Sequence, residues 1–156
     1  MSAPSNNASA STTEYVTVTI GDHLFGLPIS RVRDVFVLDR LTRVPLAPPE
    51  VAGILNLRGR VVTAIDMRSR LDFGANAPGS QVMAIGIEFR GESYGLLVDA
   101  VGEVMPLADS ERQAKPSNLD PRLARVAAGV FRLDGQLLVE LDVDSVLDIK
   151  SAAAAA

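Results

Sequence analysis

Residues 53–70 read GILNLRGRVVTAIDMRSR, and residues 129–146 read GVFRLDGQLLVELDVDSV. A shift of 76 (129 minus 53) sets Gly53 on Gly129, Leu57 on Leu133, Gly59 on Gly135, Ile65 on Leu141, Asp66 on Asp142 and Ser69 on Ser145. Matches of that many residue types at one spacing describe two related halves. Each copy reads as an apolar strand, a tight turn closed by Gly, a second apolar strand, and a helical turn capped by Asp. In the second copy the turn is Asp134-Gly135, a strong hairpin signal because both residue types tolerate positive φ. In the first copy it is Arg58-Gly59. The turn requires Gly59, but Asn or Asp would suit position 58 better than Arg. Arg58 is therefore the first residue to suspect of serving a partner.

Working outward, the repeat extends to the segments before each copy. Phe25-Gly26-Leu27-Pro28-Ile29, followed by Val32, Asp34 and Val35, falls on Tyr94-Gly95-Leu96-Leu97-Val98, followed by Val101, Glu103 and Val104, at a shift of 69 (94 minus 25). Val16, Val18 and Ile20, which alternate with polar neighbours as a half-buried strand does, fall on Ile85, Ile87 and Phe89. The two shifts differ because the second half is longer between its motifs. Both halves then run strand, turn, strand, helical turn, connector, strand, turn, strand, helical turn.

The connector Leu41 to Glu50, LTRVPLAPPE, carries prolines that forbid a regular helix or a central strand, so an extended surface segment is expected. Its counterpart, Pro106 to Arg125, contains Asn118-Leu119-Asp120-Pro121, which can cap a short helix over residues 122–126. FGANAPGS at 73–80 separates the halves. Four or five short strands per half control their open edges best by curling. The expected fold is all-β with short helices: two small antiparallel barrels, the first over about 15–73 and the second over about 80–150, sharing an apolar seam. Residues 1–13, MSAPSNNASASTT, have nothing to bury and read as a disordered tail. Residues 151–156 read as an Ala-rich C-terminal tail.

Composition narrows the function classes. With 156 residues, a core of useful size needs no disulfide or metal staple, and the sequence has no Cys. A net charge of -4 argues against nucleic acid as a partner, since that needs a basic stripe. No apolar run approaches a membrane span, so direct membrane insertion is not expected. His23 is the sole histidine, which leaves no set of ligands for a metal and no second member for a nucleophilic triad. No phosphate-cradling Gly loop occurs. Asp142, Asp144 and Asp148 lack the central Gly and terminal Glu of a calcium loop. Neither a cofactor nor an enzymatic activity is expected.

GILNLRGRVVTAIDMR, preceded by FGLPISRVRDV and followed by YGLLVDAVGEV, resembles the CheW family of chemotaxis coupling proteins over about residues 15–149. The resemblance implies a single CheW-like domain (14–150) of two five-stranded barrels similar to SH3 domains. It further implies a non-enzymatic, cytoplasmic adapter, associated with membrane-bound receptor arrays, that couples the cytoplasmic tip of chemoreceptors to the regulatory domain of the CheA histidine kinase. The family's Asn-Leu-Arg-Gly segment corresponds to Asn56, Leu57, Arg58 and Gly59, with Gly53 before it, and ties this region to partner contact. Its receptor-side Val-x-Glu-Val segment corresponds to Val32, Asp34 and Val35. Here Asp stands for the usual Glu, one methylene shorter. Two other readings stay open: an adapter of a non-flagellar chemosensory pathway, and a small ligand-binding barrel. Gly53, Gly59, Gly129 and Gly135 also read as backbone requirements.

Overall fold

The computed structural model describes residues 11–148. Ten strands form two five-stranded sheets. In chain order they are β1 (Thr12–Ile20), β2 (His23–Pro28), β3 (Asp34–Val37), β4 (Val51–Leu57), β5 (Arg60–Asp66), β6 (Met83–Phe89), β7 (Glu92–Val98), β8 (Ala100–Ala108), β9 (Ala127–Leu133) and β10 (Gln136–Leu141). Three one-turn helices follow β5, precede β9 and follow β10: α1 (Met67–Arg70), α2 (Pro121–Ala124) and α3 (Val143–Val146). Each starts on an Asp. Asp66 accepts the amides of Arg68 and Ser69, Asp120 that of Arg122, and Asp142 that of Asp144. The expected caps are thus present, and Asp142 is occupied in one of them.

The sheets do not follow the halves of the sequence. One has the order β8-β1-β2-β10-β9 and the other β3-β6-β7-β5-β4. Adding five to each of β1 to β5, and subtracting five from each of β6 to β10, turns the first order into the second. The repeat is therefore a structural one. Each sheet takes a hairpin from one half (β1–β2 or β6–β7) and three strands from the other. The expectation of one barrel over 15–73 and another over 80–150 is corrected accordingly. The joints are two parallel pairings, β2 with β10 and β5 with β7, which no hairpin can make. The ends of each sheet are brought together by the connectors. Thr42, a few residues after the edge strand β3, bridges Ile54 on the opposite edge β4. In the other sheet Gln113, shortly after β8, bridges Val130 on β9. That curls each sheet into a small SH3-like barrel.

Two further expectations change. Thr12 and Thr13 belong to β1, paired with Ala108 and Leu107 of β8, so the expected N-terminal tail over 1–13 ends no later than Ser11. The earlier part of that tail and the Ala-rich C-terminal tail lie outside the described residues. The helical turn expected after β7 is strand β8: β-branched Val101 and Val104 pair across to Val18 and Val16 of β1. The equivalent place in the first half does hold a single 3-10 turn at Ile29–Arg31.

Alternation along the strands sends one face into each barrel and the other between the two. Ala64, Ala84 and Leu97 pack with Phe36 and Leu55 in one small cluster, and Tyr15, Leu107, Phe131 and Leu138 in another. The largest cluster joins Val18, Phe25 and Leu27 of one sheet to Ile65, Ile85 and Leu96 of the other, sealed by Met67, Leu71, Val143 and Val146. This is the shared seam. Polar bonds reinforce it. Asp99, where the chain passes from one sheet to the other, accepts from Gly21 N at 2.8 Å and from Arg68 Nε and Nη2 at 3.0 and 2.7 Å. Arg70 of α1 donates to the carbonyls of Ser145 and Val146 in α3.

Candidate functional site

The β4–β5 hairpin presents Arg58 at its tip. Arg58 and Gly59 both have positive φ, 54° and 80°. That is the primed turn whose twist suits a two-residue hairpin. The backbone position is costly for a residue with a Cβ, by about 1–2 kcal/mol, and Asn or Asp would lower the cost. At the corresponding Asp134-Gly135 turn only Gly135 has positive φ. The strained geometry therefore sits at the copy with the Arg. Asn56 holds the turn, because its Oδ1 accepts the Gly59 amide at 2.9 Å.

The Arg58 side chain reaches back to β3, where its Nη1 donates to Asp34 Oδ1 at 3.0 Å. Arg58 is 77% exposed and Asp34 33%. A pair this open contributes at most about 1 kcal/mol to stability, so folding does not explain it. The shorter Asp side chain still spans the gap. Around the pair lies a hollow of about 240 Å³ lined by Arg33, Phe36, Arg60, Glu88, Ser93 and Tyr94 among others. Arg33 pairs with Glu88, and Arg60 Nη1 donates to Ser93 Oγ at 3.3 Å. The hollow is smaller than the ~300–1,000 Å³ common for small-molecule pockets. Among the described residues, no group of three or more His, Cys, Asp and Glu is arranged to hold a metal.

Of the six residues singled out from sequence, the structure brings Arg58, Asp34 and Asn56 together. Val35 is next to Asp34 on β3 but on the opposite face of the strand, exposed together with Val37. Val32 is partly buried and packs against the central core. Gly53 lies at the far end of β4, where an added Cβ would come 2.4 Å from the Thr42 carbonyl oxygen. Its role is the close approach that lets Thr42 close the barrel. Arg33, Arg60, Glu88 and Tyr94 were not foreseen. They converge only because β6 and β7, from the second half, lie between β3 and β5.

With this geometry in view, comparison with known proteins is direct. The profile of the CheW-like domain matches residues 14–151, nearly the whole chain. This chain belongs to the CheW-like domain family. The chemotaxis protein CheW of Rhizobium meliloti is 31% identical over 85% of this chain and 86% of its own length. That of Bacillus subtilis is 27% identical over 84% of each. Among solved structures, the scaffolding protein TtCheW from Thermoanaerobacter tengcongensis superposes with a TM-score of 0.74 at 27% identity, covering 83% of this chain and 88% of that one. The double barrel described above is thus the CheW fold, and the Arg58–Asp34 pair sits on an exposed part of it.

Proposed function

We propose that this CheW-family chain is a non-enzymatic adapter that couples chemoreceptors to a CheA-type histidine kinase, with Arg58 and Asp34 at the centre of a partner-binding surface. One observation carries the reading. An arginine is kept at a backbone position that disfavours it, at the tip of a hairpin, and is aimed by a partner carboxylate on another strand while remaining open to solvent. Such a group is preorganised to give hydrogen bonds to a second protein at little further cost in order. Val35 and Val37, exposed on the opposite face of β3, offer a separate apolar strip for a partner. Val32 serves from beneath by holding the 3-10 turn to the core. The protein acts at the cytoplasmic tips of membrane-bound receptors, and among the described residues no helix is long and apolar enough to cross a membrane. Individual contacts near micromolar, about -8 kcal/mol, suffice when many act together in an array.

Calorimetry of the full chain against the regulatory domain of a CheA kinase, and separately against a receptor-tip fragment, tests this. Arg58→Ala is expected to fold with wild-type stability and to lose at least about tenfold in affinity for one of the two, equivalent to ~1.4 kcal/mol. Wild type that binds neither fragment would overturn the adapter reading. An Arg58→Ala protein that binds both as wild type does would remove the pair from the interface.

A further inference from the structure

We propose that the hollow around the Arg58–Asp34 pair is a seat for one carboxylate side chain of the bound partner, held by Arg60 and Ser93. This rests on the adapter reading and adds to it the chemistry that the partner must supply. Three guanidinium groups line the hollow, those of Arg33, Arg58 and Arg60, against two carboxylates, Asp34 and Glu88. Both carboxylates are taken, Glu88 by Arg33 and Asp34 by Arg58. Arg60 is left over. Among the described residues it is in no ion pair, and its guanidinium makes one hydrogen bond, from Nη1 to Ser93 Oγ at 3.3 Å. That bond is longer than the usual ~2.7–3.2 Å, and most of the guanidinium N–H donors remain available. Ser93 Oγ accepts it, so the hydroxyl proton is still there to be donated.

The internal repeat shows that the fold does not ask for these charges. At the shifts of 69 and 76, Arg33 falls on Gly102, Arg58 on Asp134, Arg60 on Gln136 and Ser93 on Leu24. The other barrel is built on the same strand order with no guanidinium at any of the equivalent places. The arginines of this hollow therefore answer to something other than barrel closure.

An occupant must bring negative charge to Arg60 and apolar matter to the floor of the hollow. Phe36 and Val62 belong to that floor, close enough together that a Cβ added to Gly95 would meet both, at 3.9 and 3.4 Å. A Glu or Asp side chain satisfies the two demands at once. Its oxygens accept from Arg60 and Ser93 while its methylene stem covers the floor. A phosphate fits worse, because Asp34 and Glu88 on the same rim repel its second charge. The volume of about 240 Å³ has room for one such side chain.

Calorimetry of the full chain against the kinase-domain and receptor-tip fragments, with wild type, Arg60→Ala and Ser93→Ala, tests this. Arg60→Ala is expected to lose at least about tenfold in affinity for one of the two fragments, with a shallower dependence on salt. Ser93→Ala keeps the charge and should lose about threefold with the salt dependence unchanged. Changing the Asp and Glu residues of that fragment one at a time to Asn and Gln should find one whose loss weakens wild type at least about tenfold and leaves Arg60→Ala unchanged. Circular dichroism melts confirm that each variant is folded. In nuclear magnetic resonance, acetate alone should move the Arg60 Nε–H signal only above about 10 mM, because a free carboxylate lacks the rest of the interface. Wild type that binds a fragment while Arg60→Ala binds it equally well, or fragment carboxylates that all matter equally in the two proteins, would overturn the seat and leave the adapter reading standing. Saturation of Arg60 by acetate below about 1 mM would assign the seat to a free small carboxylate and overturn the partner's claim to it. Wild type that binds neither fragment would overturn the adapter reading and the seat together.

Discussion

Replacing Gly53 by alanine puts a Cβ 2.4 Å from the Thr42 carbonyl oxygen and 3.0 Å from both the Thr42 carbonyl carbon and Leu41 Cγ. Ordinary contact begins near 3.4 Å, so Thr42 must retreat by about 1 Å. Thr42 exchanges two backbone hydrogen bonds with Ile54, each 2.8 Å long, and they are the bridge between connector and β4. Losing both costs about 2 kcal/mol at about 1 kcal/mol net apiece. The φ of 154° adds roughly 1–3 kcal/mol of strain once a side chain is present. The reduced freedom of the unfolded chain offsets about 0.4–1 kcal/mol. The net expectation is a loss of about 2–4 kcal/mol, a large part of the ~5–15 kcal/mol typical of a domain. Urea unfolding followed by circular dichroism reads it as a fall in midpoint at constant slope, and calorimetry as a melting temperature lower by about 5–15 °C. A loss below about 1 kcal/mol would refute the reasoning, because it would mean that Thr42 moves aside freely. Failure to bind partners in such a variant reports a broken barrel and not a missing contact. A fully stable variant that failed to bind would instead make Gly53 part of the interface.

Gly129→Ala, at the equivalent place in the second half, should cost less, about 0.5–2 kcal/mol, because its Cβ meets the movable end of Arg112 and the Gln113 carbonyl oxygen at 3.1 Å and no positive φ is involved. Urea unfolding of the two alanine variants side by side checks the order. Asp99 is held below the usual carboxylate range by its hydrogen bonds from Arg68, helped by the Gly21 amide and opposed by burial. Its contribution is therefore present above about pH 3.9 and is lost as pH falls through the lower folded value. Asp99→Asn should be destabilised at pH 7 and less so at pH 3, and equal losses at both would contradict this assignment. Tyr15 is pushed up to about 12, first by burial and then by the Glu140 carboxylate, and Tyr94 is raised by burial and Glu92. The neutral phenol of Tyr15 thus stabilises fully below about pH 10, and this is lost as pH rises through about 12. These are the only two tyrosines, so an ultraviolet titration should show less tyrosinate at pH 10 in the folded protein than in the unfolded chain, and equal ionisation in the two would count against it.

How far the sequence reveals this structure depends on the range of the interaction concerned. Strand alternation, the Gly turns, the Asp caps of the short helices and the Pro121 start of α2 are local effects, and each was readable within a few residues. The repeat was readable as well. Which half pairs with which was not, because β2 meets β10 and β5 meets β7 through parallel ladders that leave no signal in neighbouring residues. The same blindness affects the candidate site. Arg58 and Asp34 were each picked out by motif, while their ion pair and the surrounding Arg33, Arg60 and Glu88 emerge only when strands of both halves are laid side by side. Asn56 and Gly53 show the reverse. Chosen for partners, they are already engaged in the hairpin turn and the barrel closure.

The exchange of hairpins between halves also sets a schedule for synthesis. When the ribosome has delivered β1 to β5, the nascent chain has neither of its barrels, since one still lacks β6 and β7 and the other lacks β8, β9 and β10. The last missing strand ends at Leu141, about 75 residues beyond Asp66, which at 5–20 residues per second is a wait of about 4–15 s. During that interval β2 and β5 stand with an unpaired edge each, among them the Val- and Leu-rich stretches most prone to pair with a neighbouring chain. The first half cannot be secured before the second arrives. Genetic splitting at residues 73–80 should accordingly give two fragments that are each unfolded, yet reconstitute the native protein when mixed.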